Sequence, residues 1–412
     1  MSVAWGGTRA PPALAVFRHR DPASCLIGRC CATLASQMLA VAVGWHVYAL
    51  TRDPLALGFV GLSEFLPFVL LVLVGGHVAD RVARRGVVIA AYAAEIGCAL
   101  GLLLTVVTHE HRTWPIYLTL GVFGASRAFW GPAMQAMLPG LVARGQFAAT
   151  VALNSMLFQI SAVTGPILGG LLYLAGPQIV YGSCAALYAL GLVLMLRIRA
   201  NTRPTSPPEP GGARRFLEGL RFVWRTRLVL GVISLDLFAV LFGGAVALLP
   251  VFARDILHTG PAALGLLRAA PGIGAALAAA WLALRPPSDH VGRLLLGGVA
   301  TFGLCMVVFG LSRSLGLSVA VLIVSGCADM LSVYVRGILV PLHTPDALRG
   351  RVSAVSWMFI GASNELGEFE SGLTASWFGT VRSVVIGGVI TMLVALSWRW
   401  LFPPLRQLRR LS

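Results

Sequence analysis

The residues best suited to chemistry in this sequence are carboxylates that interrupt long apolar runs. Seven acids lie inside such runs: Glu64, Glu95, Asp236, Asp329, Glu365, Glu368 and Glu370. An ionisable side chain in an apolar environment is costly and marks a candidate site for carrying protons or binding cations. Glu365 and Glu368 are three residues apart and share a helix face, so in a low-dielectric site they are not both expected to ionise. We therefore predict a proton carrier there.

Arginines inside the same runs allow a second interpretation of these acids. Arg29, Arg127, Arg268 and Arg336 are candidates to pair with the carboxylates in a structural network, and some acids can pair while others carry protons. Asp236 is the leading candidate outside the Glu365–Glu368 pair. The residues predicted for proton coupling or substrate binding are Arg127, Asp236, Glu365, Glu368, Glu64, Asp329 and Arg336.

The elements that must position these residues are membrane-spanning helices. The chain has 412 residues, of which 57% are hydrophobic and 12% charged, with a mean hydropathy of +0.82. Apolar runs of about twenty residues match the roughly 30 Å hydrocarbon core, and continuous runs favour helices over a barrel. We predict an all-α membrane protein with spans at 24–50, 55–76, 87–107, 115–138, 147–175, 178–197, 228–253, 263–284, 294–312, 317–341, 352–378 and 384–401.

The arginines predict the orientation of these spans. All 32 basic residues are Arg. With both termini in the cytoplasm, 23 of them fall in cytoplasmic segments or at the cytoplasmic ends of spans and five on the opposite face, as the positive-inside rule expects. The predicted segments are a cytoplasmic N-terminus (1–23), a six-helix half (24–197), a cytoplasmic linker with an amphipathic helix (198–227), a second six-helix half (228–401) and a basic tail (402–412).

Composition and spacing argue against several other classes. The net charge of +16 comes from arginines in short loops, which indicates membrane topology rather than a nucleic-acid partner. The seven cysteines lie in apolar runs without metal-ligand spacing, and no catalytic triad order or phosphate loop occurs. We expect no enzyme, catalytic residue, metal or cofactor, with protons as the coupling ion. The expected partners are a small-molecule substrate and membrane lipid, and the expected state is a monomer.

A half-chain repeat and a loop signature point to a known fold. RGQFAA at 144–149 and RGRVSA at 349–354 lie 205 residues apart, before equivalent spans. The loop GHVADRVARR at 76–85 resembles the signature of the major facilitator superfamily, GxLADRxGRR, at the position that the superfamily requires. The resemblance implies gating by Gly76, Asp80, Arg81, Arg84 and Arg85. Ala83 departs from the pattern, and the equivalent loop at 284–293 has lost it, so gating is expected to be asymmetric.

Other motifs narrow the resemblance. TGPILGG at 164–170 resembles the element of superfamily exporters and antiporters, with Gly165, Pro166, Gly169 and Gly170 as its residues, and Arg127 resembles a buried Arg linked to proton coupling. The stretches at 17–18, 50–58, 263–276 and 344–352 resemble the transmembrane secretion effector branch, which includes the enterobactin exporter. This resemblance covers about residues 17–401.

The resemblance implies a secondary active transporter, a proton-coupled exporter of a siderophore-like metabolite or drug by alternating access. A lipid or lysolipid flippase on the same fold is one alternative, distinguished by an apolar lateral opening. A non-transporting membrane scaffold or sensor is another, but a scaffold has no need of costly acids in the membrane.

Overall fold

The computed structural model describes residues 16–17, 19–203, 212–285 and 289–408, and these ranges contain helices and no strand. The helices are α1 (Arg20–Thr51), α2 (Pro54–Ala79), α3 (Arg84–Val107), α4 (Trp114–Leu141), α5 (Phe147–Tyr173), α6 (Pro177–Leu196), α7 (Gly212–Arg225), α8 (Arg227–Gly243), α9 (Pro261–Leu284), α10 (Val291–Leu311), α11 (Leu315–Leu342), α12 (Arg349–Phe378), α13 (Thr380–Leu401) and α14 (Pro403–Gln407). The all-α prediction is confirmed. Most of segment 1–23, the centre of the linker and the end of the tail lie outside the described residues.

Six long helices precede α7 and six follow it, at the places where the apolar runs predict spans. Within the described ranges, ten helices are long and apolar enough to cross a membrane. The other two are α4 and α12, which have 28 and 30 residues and contain Arg127, Glu365, Glu368 and Glu370. The twelve-span count therefore stays a prediction for these two, because the polar residues of the candidate site reduce their apolar character.

The seventh span differs most from its prediction as one helix over 228–253. The helix α8 ends at Gly243, and the chain continues through short helical turns and a π-helical turn, Phe252–Ile256. Gly243 and Gly244 lower helix propensity, and Pro250 lacks an N–H, so the ladder is interrupted here although the hydropathy is not. The predicted linker helix exists as α7.

The same helix-pairing scheme occurs in both halves of the molecule. In the first half α2 packs on α4, α3 on α4 and α6, and α1 on α5 and α6. In the second half α9 packs on α11, α10 on α11 and α13, and α8 on α12 and α13. Glycines at the crossings permit this spacing: a Cβ on Gly124 would overlap the Glu64 backbone, and one on Gly326 would overlap the Pro271 backbone. The two halves are thus structural repeats.

The two ends of the linker are held by different halves. Asp21 at the start of α1 accepts hydrogen bonds from the backbone N–H groups of Arg199 and Ala200. Thr202 accepts backbone hydrogen bonds from Arg84 and Arg85 at 3.3 and 3.2 Å. The chain is therefore attached to the first half as far as Thr202.

The amphipathic helix α7 is attached to the second half. Glu218 forms an ion pair with Arg351 at the start of α12, and a Cβ on Gly219 would meet the Arg351 backbone. Leu217 and Trp224 are exposed on the other side of α7. Contact of this face with lipid headgroups and acyl chains stays a prediction.

Candidate functional site

Three charged side chains meet at mid-depth, where the two halves face each other. Arg127 of α4 donates to Glu64 of α2 at 3.3 Å and to Glu365 of α12 at 2.8 Å. The second contact joins the two halves. The Arg127 side chain is 35% exposed although it lies inside the bundle, so it faces the space between the halves and not a packed core.

Local packing explains why Arg127 reaches these acids. Glu64 and Phe68 are four residues apart on α2 and share a face. The guanidinium carbon of Arg127 lies 5.6 Å from the centroid of the Phe68 ring, within cation–π range. Gly124, on the turn before Arg127, lets α4 contact the α2 backbone directly. The guanidinium is thus held between a ring and two carboxylates.

Glu368 adds a third carboxylate to this group. It packs on Gly61 of α2, where an added Cβ would stand 2.8 Å from the Cβ of Glu368. Arg268 of α9 is the cation that acts most strongly on Glu368, and it also acts on Glu64. We name Glu64, Arg127, Arg268, Glu365 and Glu368 the central cluster. It contains three carboxylates and two guanidinium groups supplied by both halves; Arg127 forms ion pairs with Glu64 and Glu365, whereas Arg268 acts at longer range.

The second half contains a separate ion pair. Asp236 of α8 pairs with Arg336 of α11 and accepts a hydrogen bond from Ser332 Oγ at 3.3 Å. Both charged side chains are buried inside this half. Asp236 and Arg336 are thus paired with each other inside the second half, away from the central cluster, and their role in proton coupling or substrate binding stays a prediction.

Asp329 lies two turns before Arg336 on α11. It is half-buried, and its carboxylate forms no ion pair or hydrogen bond with another described residue, although Asp236 and Arg336 act on it electrostatically. Its candidacy for proton or substrate binding stays a prediction. Glu370 is also half-buried and lies outside both charged groups.

The signature loop is attached to the first half through its arginines. Arg84 donates to the carbonyl of Ala136 near the end of α4 at 2.8 Å. Arg85 donates to the carbonyls of Met195 and Leu196 at the end of α6, at 3.0 and 2.7 Å. The two Arg85 contacts lie at carbonyls of the last turn of α6, where a helix end leaves acceptors free.

The other members of the loop make fewer contacts. Asp80 ends α2, and the side chains of Asp80 and Arg81 are exposed and form no ion pair or hydrogen bond with a described residue. A Cβ on Gly76 would meet nothing within 4 Å. The gating role of Gly76, Asp80, Arg81, Arg84 and Arg85 stays a prediction.

The Gly-Pro element of α5 is a packing site between three helices. Cβ atoms on Gly165 and Gly169 would collide with Gln37 and Met38 of α1. Gly170 and the Pro166 carbonyl lie against Gly265 of α9, in the other half. Small residues at these positions allow helix backbones to touch, so the element helps to join the two halves.

Sequence reasoning missed the contacts at the end of the bundle near Asp255, which we name the Asp255 end. Asp255, in the π-helical turn, accepts a hydrogen bond from Tyr48 and pairs with Arg52 at 3.5 Å. The Arg254 guanidinium lies 5.7 Å from the centroid of the Trp45 ring. The only sequence signal for these contacts was the presence of charged residues in the segments that follow α1 and α8.

Contacts between the halves are concentrated toward the Asp255 end. Gly58 of α2 touches the α12 backbone at Phe369 and Gly372, and Gln159 of α5 donates to the Gly272 carbonyl at 2.7 Å. The opposite end of the bundle, where α2 ends at Asp80, is named the Asp80 end. Between the central cluster and the Asp80 end, no hydrogen bond or ion pair between described residues links α2 or α5 to the second half. This conformation is closed at the Asp255 end.

Replacing Asp255 with Asn is expected to open this end in part of the population. The change removes the charge that pairs with Arg52, and an exposed pair of this kind contributes about 0.2–1 kcal/mol, so we expect at most about a fivefold shift in population. Spin labels at Arg112 and Arg313 in a cysteine-free background measure the opening. Asp53→Asn at the same end is the control, because Asp53 caps α2 and Asn caps equally well. Identical distance distributions in Asp255→Asn and the parent would contradict the assignment.

Two solved structures of transporters share this architecture. A POT family transporter in complex with a thioalcohol-conjugated peptide superposes with a TM-score of 0.75 at 15% identity, covering 97% of this chain and 99% of that one. The nucleoside transporter NupG superposes with a TM-score of 0.72 at 15% identity, covering 92% of this chain and 98% of that one. At such identities the likeness shows the fold alone. The fold is that of major facilitator transporters.

Sequence similarity identifies the family. The profile of the transmembrane secretion effector family matches residues 10–408, and the chain belongs to this family of multi-span membrane transporters. The enterobactin exporter EntS of Citrobacter koseri is 28% identical over 376 residues, covering 90% of this chain and 89% of that protein. EntS of Escherichia coli O157:H7 is 28% identical, with 88% of each chain covered. The resemblance seen in the sequence is confirmed.

Proposed function

We propose that this transporter is a proton-coupled exporter of a small molecule that works by alternating access in the bacterial inner membrane, with both termini in the cytoplasm. It acts as a monomer, and protons are its coupling ion, with no other cofactor. The observation that carries the proposal is the charge of the central cluster. Three carboxylates face two guanidinium groups, and an uncompensated charge at this depth is costly, so one proton balances the cluster.

The position of Glu365 links the number of protons on the central cluster to the conformation. Arg127 and Glu365 belong to different halves and are 2.8 Å apart when the Asp255 end is closed. A charge-assisted bond of this kind needs an ionised carboxylate. Closure at the Asp255 end therefore favours release of the proton from Glu365, and opening there favours its uptake.

The direction follows from the proposed orientation. With the Asp80 end in the cytoplasm, protons are taken up from outside and released inside, down the usual gradient. The cargo moves the other way. The relatives' names support a siderophore-like cargo, and a drug or another metabolite of similar size fits the same mechanism.

Proteoliposomes with an imposed pH gradient test the proposal, with enterobactin as the first probe. With the membrane potential clamped at zero, exchange of one proton for one cargo molecule is expected to give about tenfold accumulation per pH unit, because a tenfold ratio and a pH unit are the same free energy. Dissipating the gradient with a protonophore is the control. Flux that ignores the gradient would refute the coupling, and faster movement of a labelled lysolipid than of any soluble probe would favour the flippase alternative.

A further inference from the structure

A buried acid of the first half lies outside the central cluster. Glu95 of α3 is 1% exposed, and its Oε1 accepts a hydrogen bond from Ser126 Oγ at 3.3 Å. Its Oε2 has no hydrogen-bonding partner among the described residues. Ser126 immediately precedes Arg127 on α4, so adjacent residues of one helix contact Glu95 and the central cluster.

Two further polar atoms at this position lack partners. They are Tyr92 Oη and Trp130 Nε1, both buried, and the two ring centroids are 6.5 Å apart. Tyr92 is one helical turn from Glu95 on α3, and Trp130 is one turn from Ser126 on α4. The Trp130 indole N–H faces the Glu95 carboxyl and interacts with it, but the geometry is too loose for a formed hydrogen bond. Unsatisfied buried polar groups are rare in folded proteins, so their convergence indicates a site with a role.

Glu95 has no ion-pair partner in this conformation. An isolated ionised carboxylate in such a place is very unfavourable, so Glu95 holds a proton here. Arg127 acts on it electrostatically, but the Arg127 guanidinium is engaged by Glu64 and Glu365. The titratable and charged groups that act on Glu95 or are acted on by it are Arg127, Tyr92, Cys98 and Tyr188. Arg29 acts on Tyr92, and Glu64 acts on Cys98 and Tyr188.

We propose that Glu95 is a second proton-binding site, and that loss of its proton draws Arg127 away from Glu365 and so opens the Asp255 end. The inference rests on the role that the proposed function gives to the Arg127–Glu365 pair. An ionised Glu95 competes with Glu365 for the same guanidinium, and the competition is reciprocal. Closure at the Asp255 end therefore needs Glu365 ionised and Glu95 protonated.

Opening at the Asp255 end should then depend on pH in two directions. At low pH protonation of Glu365 breaks the pair, and at high pH ionisation of Glu95 withdraws Arg127 from it. The purified full chain in nanodiscs, without cargo, carries spin labels at Arg112 and Arg313, and the open fraction is measured across the pH range. We expect this fraction to be lowest at an intermediate pH and to rise severalfold on either side.

Single substitutions separate the rise of the open fraction at low pH from the rise at high pH. Glu95→Gln keeps the shape and cannot ionise, so it is expected to lose the rise at high pH and keep the rise at low pH. Glu365→Gln is expected to lose the rise at low pH. In the infrared spectrum at neutral pH, the carbonyl band of protonated carboxyls is expected to lose one component in Glu95→Gln, while the component from the central cluster remains.

The outcomes are distinct for the two proposals. A rise at high pH that survives in Glu95→Gln, or a neutral-pH carboxyl band unchanged by that substitution, would overturn the role of Glu95. Absence of the rise at low pH in the parent would count against the proposed function instead. Size-exclusion chromatography and thermal unfolding of Glu95→Gln confirm that the variant is folded.

Discussion

Replacing both Glu365 and Glu368 with Gln is expected to abolish transport driven by a pH gradient while counterflow of the cargo continues. Gln keeps the size and hydrogen-bonding capacity of Glu but cannot carry a proton. The two substitutions leave Arg127 and Arg268 with Glu64 as the only carboxylate of the cluster. We expect the gradient-driven rate to fall on the order of 100-fold, equivalent to about 2.7 kcal/mol.

Initial rates in proteoliposomes, with and without a gradient, measure this effect. Glu370→Gln is the matched control, because it removes an acid from the same helix outside the central cluster, and it is expected to keep gradient-driven transport. Undiminished gradient-driven uptake in the double variant would remove both residues from the mechanism. Loss of counterflow as well would indicate a binding role for the pair.

The same substitution at two glycines of α9 is expected to have different effects, on the conformation in one case and on stability in the other. Gly265 faces Pro166 and Gly170 in the other half, whereas Gly274 faces the Ile323 backbone within its own half. Gly265→Leu is expected to hold the halves apart at the Asp255 end and to stop transport in a folded protein. Gly274→Leu is expected to destabilise the second half by about 3 kcal/mol or more, because overpacked sites seldom relax.

Thermal unfolding and the distance between labels at Arg112 and Arg313 distinguish these results. Gly265→Leu should unfold near the temperature of the parent and show a longer distance. Gly274→Leu should unfold at a lower temperature with the distance unchanged in the folded fraction. If the Gly265→Leu protein showed the closed distance, the α5–α9 contact would not be the closing surface.

The helices were predictable because a continuous apolar run in a bilayer must satisfy its backbone hydrogen bonds internally, as a helix does. Within such runs the breaks depend on subtler features, and Gly243-Gly244 ended α8 without any drop in hydropathy. The acids could be located from the sequence, but their partners could not. Arg127 and Glu365 are 238 residues apart, and only the pairing of α2 with α12 brings them together.

The same limit explains Asp236 and Asp255. Asp236 was the leading candidate outside the Glu365–Glu368 pair, and the sequence could not show that it pairs with Arg336 inside one half. Asp255 was not singled out, since nothing in the sequence shows that the turn after α8 meets the end of α1. In each case the sequence shows the carboxylate, but its partners depend on how separate helices pack.

The attachment of the linker has a consequence for how far the halves can travel. The first half holds the chain as far as Thr202, and the second half holds it from Gly212 through the contacts of α7. Nine residues, 203–211, connect these two anchors, and a chain of that length reaches at most about 30 Å. The linker therefore limits how far its two attachment points can separate when the halves move. This limit depends on the length of the linker alone, so neither salt nor pH changes it.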